Sequence, residues 1–287
     1  MSNLCIVCET RPVDFDERLC RECAAACGII DKESARATYR AVFDLAGRAS
    51  LVYQAMQNEI RDQSEKDLSA QSLMVTVSPI IAFRNTRKLF YMNRLAQRVN
   101  DIPGDFVECG VGRGETLLWL AAICCDSQRY RNVWGFDSFE GFPEATPEDN
   151  RPNLSTAVRS WDNFSGQSPV KVVHDTFVLY GLEPTWLQSN VCFCKGWFKD
   201  TLQYLPVNKI ALLHLDCDLY QSYKVCLESL WDKVSSGGII ALDEYRNPIE
   251  LTNFPGAAQA IDEFLVGKSY TMTRDEYYGK YYLVKHG

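Results

Sequence analysis

The hydrophobic positions divide the chain into a helical first part and an alternating second part. Between residues 31 and 66, apolar residues recur every three or four positions, which is typical of amphipathic helices. A second helix is predicted from Pro79 to about Val99, because proline is favoured in the first helical turn. The polar stretch QSEKDLSAQS lies between these helices and is predicted to be exposed, and DIPGD ends the second helix.

After this point, short apolar runs alternate with helical stretches. Such alternation indicates an α/β fold, in which helices cover both faces of a mostly parallel sheet. The predicted strands are 105–110, 132–137, 191–195, 209–216 and 238–243, and the predicted helices are 114–125, 168–180, 219–233 and 257–266. The final stretch, TMTRDEYYGKYYLV, is rich in aromatic and β-branched residues and predicts two closing strands that turn near Tyr278 to Lys280.

The charge balance argues against nucleic acid or membrane as a partner. The formal net charge is −7, so no broad basic surface is available for polyanions. No apolar run approaches the roughly 20 residues that span a bilayer. The start, MSNLCIVCETR, lacks the pattern of a secretory signal. We therefore expect a cytoplasmic protein that acts on a small molecule.

Four N-terminal cysteines form two CxxC pairs, Cys5 with Cys8 and Cys20 with Cys23. Each pair can direct two thiolates toward one tetrahedral ion, so the spacing predicts a structural Zn²⁺ site. The alternative is four reduced thiols in a flexible arm. Four protein ligands leave the ion no open position, which favours a structural or docking role over catalysis.

Three regions follow from these patterns. A zinc-binding module is predicted over 1–28, a helical region over 29–77 and a catalytic domain over 78–287. The helical region could form a homo-oligomer interface or cover the active site.

The stretch VECGVGRGETLLWL reads as a strand, a glycine turn and a helix. Glycines in such a turn let the backbone approach a ligand closely, and Asp137 at the end of the second strand suits the two hydroxyls of a ribose. The turn and its helix start contribute Gly110, Gly112, Gly114 and Thr116 as candidate cofactor-binding residues. This pattern fits either a dinucleotide or S-adenosylmethionine.

Glu108 favours S-adenosylmethionine. It lies inside the first strand, directly before the turn, where it would repel a diphosphate and attract a cationic sulfonium and amino group. Two alternatives stay open: Glu108 could bind a neighbouring amide or an arginine, and Asp137 could cap a helix.

The second part of the chain contains several motifs that can be compared with a known family as an ordered set. They are FVECGVGRGET, GFDSFEGFP, KGWFKDTL, LDCDLYQSYKVCLESLWDKVSSGGIIALDEY and FPGAAQAIDEF. The stretch that carries them, about residues 78 to 287, resembles the macrocin O-methyltransferase family, whose members methylate sugar hydroxyls on macrolides and related natural products. The resemblance implies a class I methyltransferase fold, which is a Rossmann-like sheet of seven mostly parallel strands with the last one antiparallel.

The resemblance also implies roles for individual residues. Glu108, Gly110 and Gly112 would line the methionine part of the cofactor, and Asp137 would bind its ribose. Ser138 would follow Asp137, and Trp197 and Phe198 would lie near the adenine. Mg²⁺ would be bound by Asp216, Asp243 and Glu244, although better-known members of the family have a second aspartate in place of Glu244.

The acids at the predicted strand ends suit this chemistry. Asp216 and Asp218 follow one apolar run, and Asp243 and Glu244 follow the next, so all four are expected at one edge of the sheet. Clustered carboxylates repel one another unless a cation intervenes, which favours a hard divalent ion. Asp218 is the candidate general base, although it could instead cap the helix that starts near Tyr220.

We therefore expect an S-adenosylmethionine-dependent O-methyltransferase that acts on a hydroxyl of a sugar or glycosylated metabolite. Two alternatives remain. One is a methyltransferase for an aminosugar amine or a nucleotide-linked sugar. The other is a non-catalytic protein that binds zinc or S-adenosylmethionine and serves in interactions.

Overall fold

The computed structural model of the protein describes residues 86–127, 130–150, 168–246, 248–276 and 278–287. The predicted cysteine module at 1–28, the helical region at 29–77 and the first residues of the domain predicted from 78 lie outside these ranges. The zinc site and the oligomer interface assigned to them therefore stay predictions.

Helices and strands alternate along most of the described chain. The helices are α1 (Thr86–Arg98), α2 (Glu115–Asp126), α3 (Pro169–Leu179), α4 (Pro184–Asn190), α5 (Phe198–Thr201), α6 (Tyr220–Leu230), α7 (Pro248–Asn253) and α8 (Pro255–Leu265). The strands are β1 (Asp105–Cys109), β2 (Val133–Asp137), β3 (Val191–Lys195), β4 (Ile210–Leu215), β5 (Val234–Leu242), β6 (Tyr270–Arg274) and β7 (Tyr281–Lys285). Short 3₁₀ helices occupy Pro147–Asp149, Leu202–Tyr204 and Trp231–Lys233.

The strands form one seven-stranded sheet in the order β3-β2-β1-β4-β5-β7-β6. Strands β1 to β5 pair in parallel, and β7 pairs antiparallel with both β5 and β6. The predicted α/β fold class and its antiparallel last strand are thereby confirmed. The strand order reverses between β1 and β4, and such a switch point opens a crevice for ligands at the carboxyl ends of the strands.

Two apolar layers cover the sheet. Successive strand residues face opposite sides, so Phe106 packs with the layer that includes α1, α2 and α3, while Val107 packs with the layer of α6 and α8. Every residue of β4 is buried, as expected for the central strand of a sheet covered on both faces.

The short helices α4, α5 and α7 were not predicted, and two further elements differ in extent. For α4, Pro184 in its first turn and the Glu183 side chain, which accepts the amides of Thr185 and Trp186, both mark a helix start. Strand β5 begins before the predicted 238, because the small residues of SSGG do not carry an apolar strand pattern. The helix predicted over 219–233 ends as an α-helix at Leu230 and continues as a 3₁₀ turn.

Within the described ranges, no helix combines the length and the apolar character that a membrane crossing requires.

Candidate active site

The glycine turn lies between β1 and α2, at the switch point of the sheet. A Cβ atom on Gly110 would lie 1.7 Å from the backbone oxygen of Asp216, so only glycine lets the chain pass this close to the end of β4. Gly112 has a φ of 54°, and a Cβ atom there would meet nothing within 4 Å. Open space therefore adjoins the backbone of the turn, as cofactor binding requires.

Asp137 holds this turn from the end of β2. Its carboxylate accepts the amide of Gly112 at 2.8 Å and the amide of Phe139 at 2.7 Å. Burial raises the pKa of Asp137, and the hydrogen bonds from both amides oppose that rise. Asp137 thus fixes the turn and still has lone pairs for ribose hydroxyls.

The other predicted cofactor residues lie at the starts of α2 and α5 and in the loop after β2. The Ser138 hydroxyl donates to the carbonyl of Gly141 at 2.7 Å, which shapes the loop after β2. Trp197 and Phe198 are half-buried at the start of α5, directly after β3. Thr116 is buried in the first turn of α2, and Gly114 is the N-cap residue of that helix.

Glu108 binds a histidine rather than an arginine. Its Oε1 lies 2.9 Å from Nδ1 of His214, and both side chains are only 1% exposed. Burial alone would lower the pKa of His214, but hydrogen bonds to Asp243 and Glu108 raise it. His214 therefore connects Glu108, in the strand before the glycine turn, with Asp243 at the end of β5.

Two lysines neutralise Asp243 and its neighbour Asp216. The Lys88 ammonium donates to Oδ2 of Asp216 at 3.0 Å and lies 3.6 Å from Oδ1 of Asp243. Lys280 donates to Oδ2 of Asp243 at 2.8 Å and to Glu250 at 2.9 Å. Burial raises the pKa of Asp243, but Lys88, His214 and Lys280 outweigh it and hold that pKa well below its usual value. Asp243 is therefore ionised and already paired.

Unlike Asp243, which contacts the two lysines, Glu244 contacts Asp218. Its Oε2 lies 2.6 Å from the Tyr223 hydroxyl and accepts the backbone amide of Asp218 at 3.3 Å. Asp218 has a φ of 62°, in the left-handed region, so the chain turns sharply after Asp216. Burial and repulsion by Asp216 and Asp243 raise the pKa of both Asp218 and Glu244 well above their usual values. Within the described ranges, neither Asp218 nor Glu244 forms an ion pair, whereas Asp243 pairs with Lys88, His214 and Lys280.

The helix-cap alternative for Asp218 receives no support from the contacts at the start of α6. The N-cap residue is Leu219, and no side chain at that position accepts a capping hydrogen bond. The amide of Tyr220 instead donates to Oδ1 of the buried Asp149 at 2.8 Å. The Asp218 carboxylate is therefore available for another role.

Among the described residues, two groups of side chains have ligand atoms within 4.8 Å of one another. One group is His214, Asp216 and Asp243, and the other is Asp216, Asp218 and Glu244. Lysines contact both carboxylates of the first group, and the Lys88 contact to Asp216 also belongs to the second group. The second group consists of carboxylates alone, which are the oxygen donors that a hard divalent ion prefers. The residues thus fit a magnesium ion on the Asp218 side of the cluster.

Sequence patterns did not identify four residues that the structure brings to the site: Lys88, Tyr223, Lys280 and Glu115. Their positions depend on packing between distant elements, since Lys88 and Asp216 are 128 positions apart. Only Glu115 had a local signal, because it directly follows the glycine turn.

Comparison with known families gives one family match. A family model described as Macrocin-O-methyltransferase (TylF) matches residues 31–271. The match covers most of the chain and begins upstream of residue 78, so it includes the stretch of predicted helices at 31–66.

Two characterised relatives share about a third of the aligned residues. The 8-demethyl-8-(2,3-dimethoxy-alpha-L-rhamnosyl)-tetracenomycin-C 4'-O-methyltransferase of Streptomyces olivaceus is 36% identical over 145 residues, which cover 50% of this chain and 54% of the relative. The demethyldecarbamoylnovobiocin O-methyltransferase of Streptomyces niveus is 34% identical over 166 residues, which cover 58% of this chain and 59% of the relative. The chain thus spans between half and two thirds of the length of these relatives.

Solved structures of similar fold include two methyltransferases. The O-methyltransferase NovP is 28% identical, with a TM-score of 0.55 over 72% of this chain and 81% of NovP. CalS11, a calicheamicin methyltransferase, is 23% identical, with a TM-score of 0.55 over 82% of this chain and 91% of CalS11. At that identity, the second similarity shows the fold alone.

Proposed function

The chain belongs to the macrocin O-methyltransferase family, and we propose that it transfers a methyl group from S-adenosylmethionine to a hydroxyl of a sugar or glycosylated metabolite. The observation that carries the proposal is the carboxylate group of Asp216, Asp218 and Glu244 beside the glycine turn. The names of the two Streptomyces relatives support it, because one is a methyltransferase for a rhamnosyl group and the other acts in novobiocin chemistry.

The cofactor is proposed to lie in the crevice between β1 and β2. Glu108 and the turn from Gly110 to Gly112 would contact its methionine part, Asp137 its ribose, and Trp197 and Phe198 its adenine. The negative potential of Glu108 and the acid cluster favours a cationic cofactor over a diphosphate.

In the proposed reaction, the acceptor hydroxyl oxygen attacks the methyl carbon of the cofactor. The carbon–sulfur bond breaks, sulfur keeps the electron pair, and S-adenosylhomocysteine leaves. A sugar hydroxyl is a weak acid, so its attack needs a base to remove the proton. We assign that role to a carboxylate oxygen of Asp218, which forms no ion pair with a lysine of the described chain and whose pKa is raised by burial and by Asp216 and Asp243.

We further propose that Asp216 and Glu244 hold a magnesium ion, with Asp243 serving as the counter-ion of Lys88 and Lys280 rather than as a ligand. When bound, magnesium would polarise the acceptor oxygen and make its proton more acidic. The longer side chain of Glu244 is what brings a carboxylate toward Asp218. Tyr223 fixes that carboxylate by its hydroxyl contact.

The alternatives have less support. An amine acceptor would also have to lose a proton, so the preference for a hydroxyl is supported by the O-methyltransferase names of the two relatives. A non-catalytic protein would have no use for three mutually repelling carboxylates. The N-terminal zinc module, with Cys5, Cys8, Cys20 and Cys23 as ligands, is supported by cysteine spacing and remains a prediction.

Calorimetric titration with S-adenosylmethionine tests the proposed cofactor site. We expect the wild-type protein to bind the cofactor. Asp137→Asn is expected to weaken binding about 10-fold, because a hydrogen bond to a charged group contributes about 1.5–3 kcal/mol. The matched control is Asp232→Asn, which changes an exposed aspartate at the opposite end of β5 and should bind as wild type does. Absence of cofactor binding in the wild-type protein would contradict the proposal.

A further inference from the structure

Two glutamates flank the glycine turn, and each has one buried carboxylate oxygen without a hydrogen-bond partner. Within the described part of the chain, these atoms are Oε2 of Glu108 and Oε1 of Glu115. Glu108 lies in β1 just before the turn, and Glu115 is the first residue of α2 just after it. The chain thus places one unpartnered acceptor directly before and one directly after the glycine turn, and the charge of Glu108 acts on Glu115.

A buried acceptor without a donor is costly. An unsatisfied buried polar group destabilises the folded protein, and more so when the group is charged. Burial raises the pKa of Glu115 to about 7, although the Lys88 ammonium favours its ionised form. The hydrogen bond of Lys88 goes to Asp216, and that of His214 goes to Oε1 of Glu108, so neither reaches the two unpartnered atoms.

A cationic group with N–H donors would satisfy both oxygens and offset the cost of burying two carboxylates. A sulfonium carries positive charge but has no hydrogen to donate, so it cannot satisfy these oxygens. A primary ammonium has three donors and can serve two carboxylates at once. In the proposed cofactor, that group is the amino group of the methionine part.

We propose that Glu115, acting with Glu108, binds the α-amino group of S-adenosylmethionine. This inference rests on the proposed function, because it assumes that the crevice takes this cofactor. It makes Glu115 a binding residue that the motif pattern did not identify, and it gives the carboxylate after the turn a role beyond a favourable charge at a helix N-terminus.

The test compares two ligands that share the adenosine half. S-adenosylhomocysteine has the amino group, whereas 5′-methylthioadenosine lacks the whole amino-acid part. Binding of each is measured by calorimetry to the wild type, to Glu115→Gln and to Glu228→Gln, a matched change of an exposed glutamate on α6. Glu115→Gln keeps the size of the side chain and removes its charge.

We expect Glu115→Gln to weaken S-adenosylhomocysteine binding about 10-fold, because one charge-assisted hydrogen bond is lost. Binding of 5′-methylthioadenosine should be unchanged. Equal weakening of both ligands would overturn the inference, because it would mean that Glu115 only supports the fold of the crevice. Unchanged binding of both ligands would overturn it as well. If the wild type binds neither ligand, then the proposed function itself fails.

Discussion

Replacing Asp218 by asparagine is expected to lower kcat about 10²–10⁴-fold, the range that a positioned general base contributes. Asparagine keeps the shape of the side chain but cannot accept the proton of the acceptor hydroxyl. The backbone amide of Asp218, which binds Glu244, is unchanged by the substitution. The affinity for S-adenosylmethionine should therefore remain near the wild-type value. Single-turnover kinetics and calorimetry measure the two quantities separately.

The control for this experiment is Asp232→Asn, which removes a carboxylate from an exposed position outside the acid cluster. Its turnover should equal that of the wild type. A magnesium titration of Asp218→Asn separates a base from a metal ligand, since loss of a base leaves the magnesium affinity nearly unchanged. Wild-type turnover in Asp218→Asn would rule out Asp218 as the base.

Replacing Lys88 by methionine is expected to lower the free energy of unfolding by about 3 kcal/mol. Removing one partner of a buried ion pair leaves an uncompensated charge, and such changes cost about 3–5 kcal/mol. Burial lowers the pKa of Lys88, but Asp216 and Asp243 raise it well above its usual value, so the ammonium is charged in the folded protein. Urea denaturation measures the loss directly. The exposed Lys209→Met is the matched control, with stability close to wild type.

Added magnesium should partly restore the stability of Lys88→Met. A ligand that binds only the folded state stabilises it by about 2.7 kcal/mol at 100 times its Kd, and without Lys88 the Asp216 and Asp243 carboxylates both need a cation. The gain should be larger in this variant than in the wild type. A variant as stable as wild type without magnesium would mean that Lys88 does not act as the counter-ion.

The main features of the sheet could be predicted from sequence, because they depend on local patterns. The apolar runs ending in Asp216 and Asp243 identified two neighbouring strands, and parallel strands bring their carboxyl ends to one edge. The glycine turn was also evident, since its residues are contiguous. By the same logic, Asp137 was correctly placed beside that turn.

The sequence could not show which carboxylates of the acid cluster pair with lysines, because this pairing depends on residues from distant elements. Lys88 comes from α1, and Lys280 comes from the turn before β7. No periodicity links either lysine to Asp243. The different orientations of Asp243 and Glu244 follow from these lysines and from Tyr223 on α6. Sequence therefore indicated which carboxylates gather, whereas packing determines which of them are neutralised.

Methyl transfer to a sugar hydroxyl can be observed directly. The protein is incubated with magnesium, with S-adenosylmethionine labelled by ¹³C in the methyl group, and with either a rhamnosylated tetracenomycin or demethyldecarbamoylnovobiocin, the acceptor types in the names of the two relatives. The product is then examined by NMR. We predict a labelled methoxy group on a sugar carbon of at least one acceptor, formed by the wild type and not by Asp218→Asn. A label on nitrogen or on the aglycone, or no transfer to either acceptor by an enzyme that binds the cofactor, would contradict the proposed sugar O-methyltransferase activity.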